Sequence, residues 1–61
     1  MIKRIRLDQG LTQEQLAWKT KFHPTYIGRV ERGERNLSLK NAETFSKAFG
    51  IHIKELFNLI D

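Results

Sequence analysis

The chain has 61 residues, eleven Lys and Arg against seven Asp and Glu, and a formal net charge of +4, with a sequence pI near 9.9. A chain this short buries only about 60% of the surface it exposes when unfolded, so it holds one domain, residues 1–61, with one modest core. With no cysteine there are no disulfides or thiolate zinc sites; no apolar run approaches the roughly 20 residues that span a bilayer, and the apolar residues are split among short segments and not ranged along one long face, so neither a spanning nor a membrane-surface role is expected.

Apolar residues recur at helical spacing throughout and turn residues cut the pattern into short pieces, which predicts five helices and no strands. The first covers about residues 2–9, with Ile2 and Ile5 facing inward, a basic outer face, and Gly10 as a left-handed cap. The second opens on Thr12, which forms a capping box with Gln15, and turns Leu16, Ala17 and Thr20 to the core. The third starts at Pro24, where the missing N–H costs nothing, and stops before Gly33 with Ile27 and Val30 as a narrow buried stripe. Ser38 caps the fourth, whose Leu39, Ala42, Phe45 and Phe49 mark one face before Gly50. The fifth carries Ile53, Leu56, Phe57 and Ile60 at i, i+3, i+4 and i+7.

Only Lys21, Phe22 and His23 separate the second helix from the third, which suits a crossing near 90–120° that presents the third helix outward. On that helix Thr25, Gly28, Arg29 and Arg32 lie away from Ile27 and Val30, giving a small and basic outer face of a kind that fits a major groove about 12 Å wide. Between Lys19 and Lys40 there are six basic residues against only Glu31 and Glu34, while the rest of the chain has five of each sign. The excess charge therefore sits around the third helix, where a polyanionic partner would meet it.

Three runs, at matching spacing, resemble the Cro and phage-repressor type of helix-turn-helix, the Xre family. They are Gly10-Leu11-Thr12-Gln13-Glu14-Gln15-Leu16-Ala17, Tyr26-Ile27-Gly28-Arg29-Val30-Glu31-Arg32-Gly33, and Ala48-Phe49-Gly50-Ile51 leading to Glu55-Leu56-Phe57. The stretch from His23 to Leu39 looks most similar to short regulators such as the controllers of restriction-modification systems. The resemblance implies an all-α, lambda-repressor-like DNA-binding domain, with the helix-turn-helix over about residues 13–32 and the recognition helix over about 24–32.

It also implies a division of labour on double-stranded DNA. Thr25 and Arg29, with Pro24, fall on base-reading positions; Arg29 can pair with guanine O6 and N7, or else hold phosphate alone. Gln13, Lys21, His23, Tyr26, Arg32, Arg35, Asn36 and Lys40 fall where the backbone is held, the other reading of Gln13 being a solvated first-turn residue. Glu31, an acid in a basic segment, is expected to turn inward and pair with Arg6. The sequence departs from the family pattern at Lys21, where a turn glycine is usual, and at Pro24, which lacks a side-chain donor. Gly28 costs about 1 kcal/mol of helix stability relative to alanine and is either tolerated or lets the backbone approach DNA. Trp18 is expected to pack over neighbouring side chains, the other reading being contact with a partner protein.

The expected function is a sequence-specific transcriptional regulator in the cytoplasm, acting as a homodimer through Phe57, Leu59 and Ile60. An antitoxin-like module that binds a toxin protein and regulates its own operon is the second reading. His23 and His52 stand 29 residues apart without metal-ligand spacing, so no metal or cofactor is expected. No phosphate loop or nucleophile with a base suggests an enzyme.

Overall fold

In a computed structural model of the chain, residues 2–58 are described, with side chains through residue 56. They form α1 (Ile2–Asp8), α2 (Gln13–Thr20), α3 (Pro24–Glu31), α4 (Leu39–Phe49) and α5 (Ile53–Asn58), and no strand occurs among the described residues. None of these helices is long and apolar enough to cross a membrane.

The helix boundaries follow from local hydrogen bonding. Thr12 accepts from the Gln15 backbone N–H at 3.0 Å while the Gln15 carboxamide accepts from the Thr12 N–H at 2.8 Å, so the capping box is complete. Ser38 accepts from the Asn41 N–H at 3.1 Å. At the end of α3, Gly33 takes φ +76°, and the N–H groups of Gly33 and Glu34 donate to Val30 and Arg29 carbonyls at 3.1 and 2.9 Å. A residue with a Cβ is strained there, and glycine is not.

The end of α2 needs the same left-handed turn and has no glycine. Lys21 itself adopts φ +65°, and its N–H donates to the Ala17 carbonyl at 2.8 Å. The next N–H, that of Phe22, is taken by the Thr20 hydroxyl at 3.3 Å. The departure at Lys21 therefore changes the residue and keeps the turn.

Leu16, Ile27, Phe45 and Leu56 are completely buried, with Ile2, Ile5, Ala17, Ala42 and Phe49 around them. Helix α2 packs on α3 and α4, α4 also holds α5, and α1 closes the side against α3 and α4. The Gln9 carboxamide donates to the Phe49 carbonyl at 2.8 Å and so ties the end of α1 to the end of α4.

Packing differs from the periodic reading at several places. Leu39 is 68% exposed, not buried. Leu37, just before the Ser38 cap, packs against the core instead. Leu37 and Ala42 occupy the two positions of a hydrophobic staple, which turns the first helical residue away. Phe22, read as turn, packs its ring against Phe45 at 5.3 Å and edge-on to Tyr26 at 5.0 Å between centroids. Val30 is half-buried, so Ile27 carries the buried stripe of α3.

Because the Thr12 side chain satisfies a helix N–H that has no other partner, Thr12→Ala should destabilise the fold by about 1 kcal/mol. In a domain of this size that lowers the melting temperature by roughly 4–8 °C. Thermal melting followed by circular dichroism checks this, and Thr12→Ser should restore most of the loss.

Candidate nucleic-acid interface

The three-residue connection, anchored by the Phe22 ring in the core, fixes α3 across α2 and turns one face of α3 to solvent. His23 caps α3, its Nδ1 accepting from the Thr25 N–H at 3.0 Å, and Pro24 follows at the first helical position. Thr25 and Arg29 are exposed on the outer face, one turn apart, and Pro24 is exposed at its front. These three base-reading candidates are thus brought together at the amino-terminal half of α3.

The backbone-holding candidates divide into three groups. Arg35, Asn36 and Lys40 are exposed beyond the carboxyl end of α3, where the chain runs to the start of α4. Arg32 is exposed, and its Nε donates to Glu34 Oε2 at 2.5 Å. Hydrogen bonding to Arg32 holds the Glu34 carboxyl below its ordinary value, and the same bond raises the Arg32 guanidinium. This pair is open to solvent and correspondingly screened.

The third group is engaged inside the protein. The Tyr26 ring is half-buried and its hydroxyl accepts from Asn41 Nδ2 at 2.8 Å, which leaves its own proton to donate outward. His23 has one ring nitrogen committed to the cap. The Lys21 ammonium lies 5.6 Å from the centroid of the Trp18 ring. Gln13, at the front of α2, donates from Nε2 to Glu31 Oε1 at 2.9 Å, so it is not the freely solvated residue of the alternative reading.

Two residues stand elsewhere than expected. Trp18 is 77% exposed on α2 and does not pack over neighbours beyond its contact with Lys21. It lines an open surface concavity together with Glu14, Ala17, Lys21, Phe22 and Pro24. Gly28 is buried, not outward-facing, because the Arg32 guanidinium folds back over it. The pairings of Asn41 with Tyr26 and of Glu34 with Arg32 had no counterpart in the sequence reading. Glu34 two residues after Arg32 was the signal that could have suggested the second.

Arg6 and Glu31 form the expected inward pair. Arg6 Nε and Nη2 donate to the two Glu31 oxygens at 2.7 and 3.1 Å, and Nη1 donates to the Leu11 carbonyl at 2.8 Å. The two side chains are 8% and 3% exposed. Burial pushes the Glu31 carboxyl up, but hydrogen bonds from Arg6 and Gln13 and the charges of Arg6 and Lys3 outweigh it and hold it below its ordinary value of 4.5. A depressed carboxyl stabilises the fold fully above that ordinary value and loses the contribution as the pH falls through the folded-state value.

This arrangement, a helix pair joined by a short turn with a basic, outward second helix, is that of a helix-turn-helix. The chain belongs to the helix-turn-helix family, a class of DNA-binding regulators, whose profile matches residues 2–56. It is 45% identical over 58 residues to the control protein C.BamHI of Bacillus amyloliquefaciens, covering 93% of this chain and 72% of that one. It is 38% identical over 61 residues to the control protein C.MunI of Mycoplasma sp, covering 98% and 82%. The crystal structure of the restriction-modification controller protein C.AhdI from Aeromonas hydrophila superposes with a TM-score of 0.87 at 41% identity, over 92% of this chain and 85% of that chain.

Removing one partner of a buried ion pair leaves the other charge uncompensated, so Glu31→Ala should cost roughly 3–5 kcal/mol. The combined Arg6→Ala, Glu31→Ala variant should lose clearly less than the two single losses added together. Urea unfolding of all four proteins at neutral pH measures the coupling, and repeating it as the pH falls below 4.5 should show the coupling shrink as the Glu31 carboxyl takes up its proton. Additive losses at neutral pH would mean that the pair contributes nothing.

Proposed function

We propose that the chain is a sequence-specific, cytoplasmic transcriptional regulator whose single domain binds double-stranded DNA as a homodimer. Its helix-turn-helix spans about residues 13–32, and α3, over about residues 24–32, is the recognition helix. The observation that carries this reading is the outer face of α3, where Thr25 and Arg29 are exposed one turn apart with no side-chain hydrogen bond or ion pair among the described residues, and Arg32, Arg35, Asn36 and Lys40 are exposed beyond its end. Two subunits would set their α3 helices in successive major grooves about 34 Å apart on a roughly palindromic operator. The controller proteins among the relatives support a regulator over an antitoxin-like module.

Within this reading Arg29 and Thr25, beside Pro24, read base edges. Arg32, Arg35, Asn36 and Lys40 hold phosphates, joined by Gln13, the Tyr26 hydroxyl, Lys21 and the free nitrogen of His23. If so, Arg29→Ala should cost about 1–3 kcal/mol at one base pair of each half-site and flatten the preference there. Arg35→Ala or Lys40→Ala should weaken all sequences about equally and lower the salt slope by about 1 for each phosphate no longer neutralised. Binding of each variant to a site selected from random duplexes, and to its single-base variants at several salt concentrations, separates the two. Full base preference in Arg29→Ala with only a lower salt slope would make Arg29 a phosphate clamp.

The proposed dimer contact involves Phe57, Leu59 and Ile60. The side chain of Phe57 and the whole of Leu59 and Ile60 lie outside the described residues. Sedimentation equilibrium should give a dimer at concentrations on the order of hundreds of micromolar, where association is favoured by mass action. Phe57→Ala should shift it toward monomer, and a monomer for the unaltered chain at those concentrations would end the proposal.

A further inference from the structure

We infer that Glu31 and Gly28, neither of which reaches DNA, are positioning residues that hold a phosphate seat between α2 and α3, with the Gln13 carboxamide and the Arg32 guanidinium as its donors. This rests on the DNA-binding reading above and assigns how its backbone contacts are set.

A glutamine in the first turn of a helix is ordinarily free to rotate, and ordering such a side chain opposes binding. In this chain the cost is met in the folded protein. Both Glu31 oxygens are locked by the fork of Arg6, and Oε1 takes an additional bond from Gln13 Nε2 at 2.9 Å. The carboxylate dictates which way the amide faces, because it accepts from the NH2 end and would repel the carbonyl end. One N–H of Gln13 is thereby spent, and the second, directed away from Glu31, is free to donate to an anion. Arg6 and Lys3 offset the acid's charge, so an ionised Glu31 can sit behind a phosphate contact without repelling it.

Gly28 supplies the space. A Cβ built on it would stand 3.1 Å from Arg32 Nη1 and 3.9 Å from Gln13 Nε2, so the guanidinium and the amide gather round the volume that a side chain would fill. Glu34 holds Arg32 through Nε and leaves the Nη nitrogens available. The atoms that alanine would displace belong to the end of a flexible side chain, so Gly28→Ala can be accommodated by moving Arg32. It should not lower stability, since alanine is the better helix former.

The test uses duplexes of the preferred site in which single phosphates are replaced, one at a time, by uncharged methylphosphonate. The unaltered protein should lose roughly tenfold in affinity at one linkage of each half-site, the loss expected for a hydrogen bond to a charged group. Gln13→Ala and Glu31→Gln should each bind the unmodified site more weakly and lose sensitivity at that linkage. Glu31→Gln should add nothing in the Gln13→Ala background, with fraction folded measured for every variant by circular dichroism. Gly28→Ala should melt no lower than the parent yet bind more weakly, and it carries the decision if Glu31→Gln does not fold. Full sensitivity at the same linkage in folded Glu31→Gln, or parental affinity in Gly28→Ala, overturns the inference. Failure of the unaltered chain to bind any duplex overturns the DNA-binding reading itself, and this inference with it.

Discussion

The bonds that Arg6 makes with Glu31 and with the Leu11 carbonyl decide how three parts of this small domain meet. One guanidinium at the end of α1 grips the last residue of α3 with two of its nitrogens and the residue before the α2 cap with the third. The core, built from a few apolar side chains around Phe45 and Leu16, resists shifts of one helix along another by close packing but not through directional bonds. A bidentate charge pair does not tolerate such shifts, because its energy depends on distance and angle in a site shielded from water. The register of α3 against α1 is therefore constrained by a directional polar contact as well as by packing.

The outward face of α3 depends on that register and on the turn that precedes it. Lys21 accepts a left-handed conformation at a place where glycine would be unstrained, and its neighbour Phe22 inserts a ring between Tyr26 and Phe45. Backbone strain at one residue is offset by aromatic burial at the next. With both ends of α3 anchored, one by Phe22 and the other by Glu31, Thr25 and Arg29 are held on a rigid helix and not on a loop. Specific readout of base edges requires that kind of support.

Charge is distributed so that acids work inside or at the margin of a basic surface. Glu31 is neutralised by Arg6 with help from Lys3, and Glu34 orients Arg32 at the surface. The positive field around α3 survives both. A formal count of charges along the chain treats these two glutamates alike, although one is buried structure and the other is a solvated partner of Arg32.

Most of the helix starts and stops, which depend on contacts within about four residues, were legible in the sequence, although the equally local Arg32–Glu34 pair and the Phe22–Tyr26 contact were not. The capping box at Thr12, the Ser38 cap, Pro24 at the start of α3 and the left-handed glycines concern hydrogen bonds that close within a single turn, so residue type and spacing suffice to place them. The inward turn of Glu31 toward Arg6, 25 residues away, was available only through resemblance to a family, since no local rule links the two. The remaining features rest on where separate helices come to lie. Leu39 has the right period for burial but falls outside the staple, Gly28 is covered by a guanidinium, Trp18 stays exposed on α2, and Gln13 meets Glu31 across 18 residues of chain. Helical periodicity says which side of a helix a residue is on, and only the packed tertiary structure decides what stands opposite it.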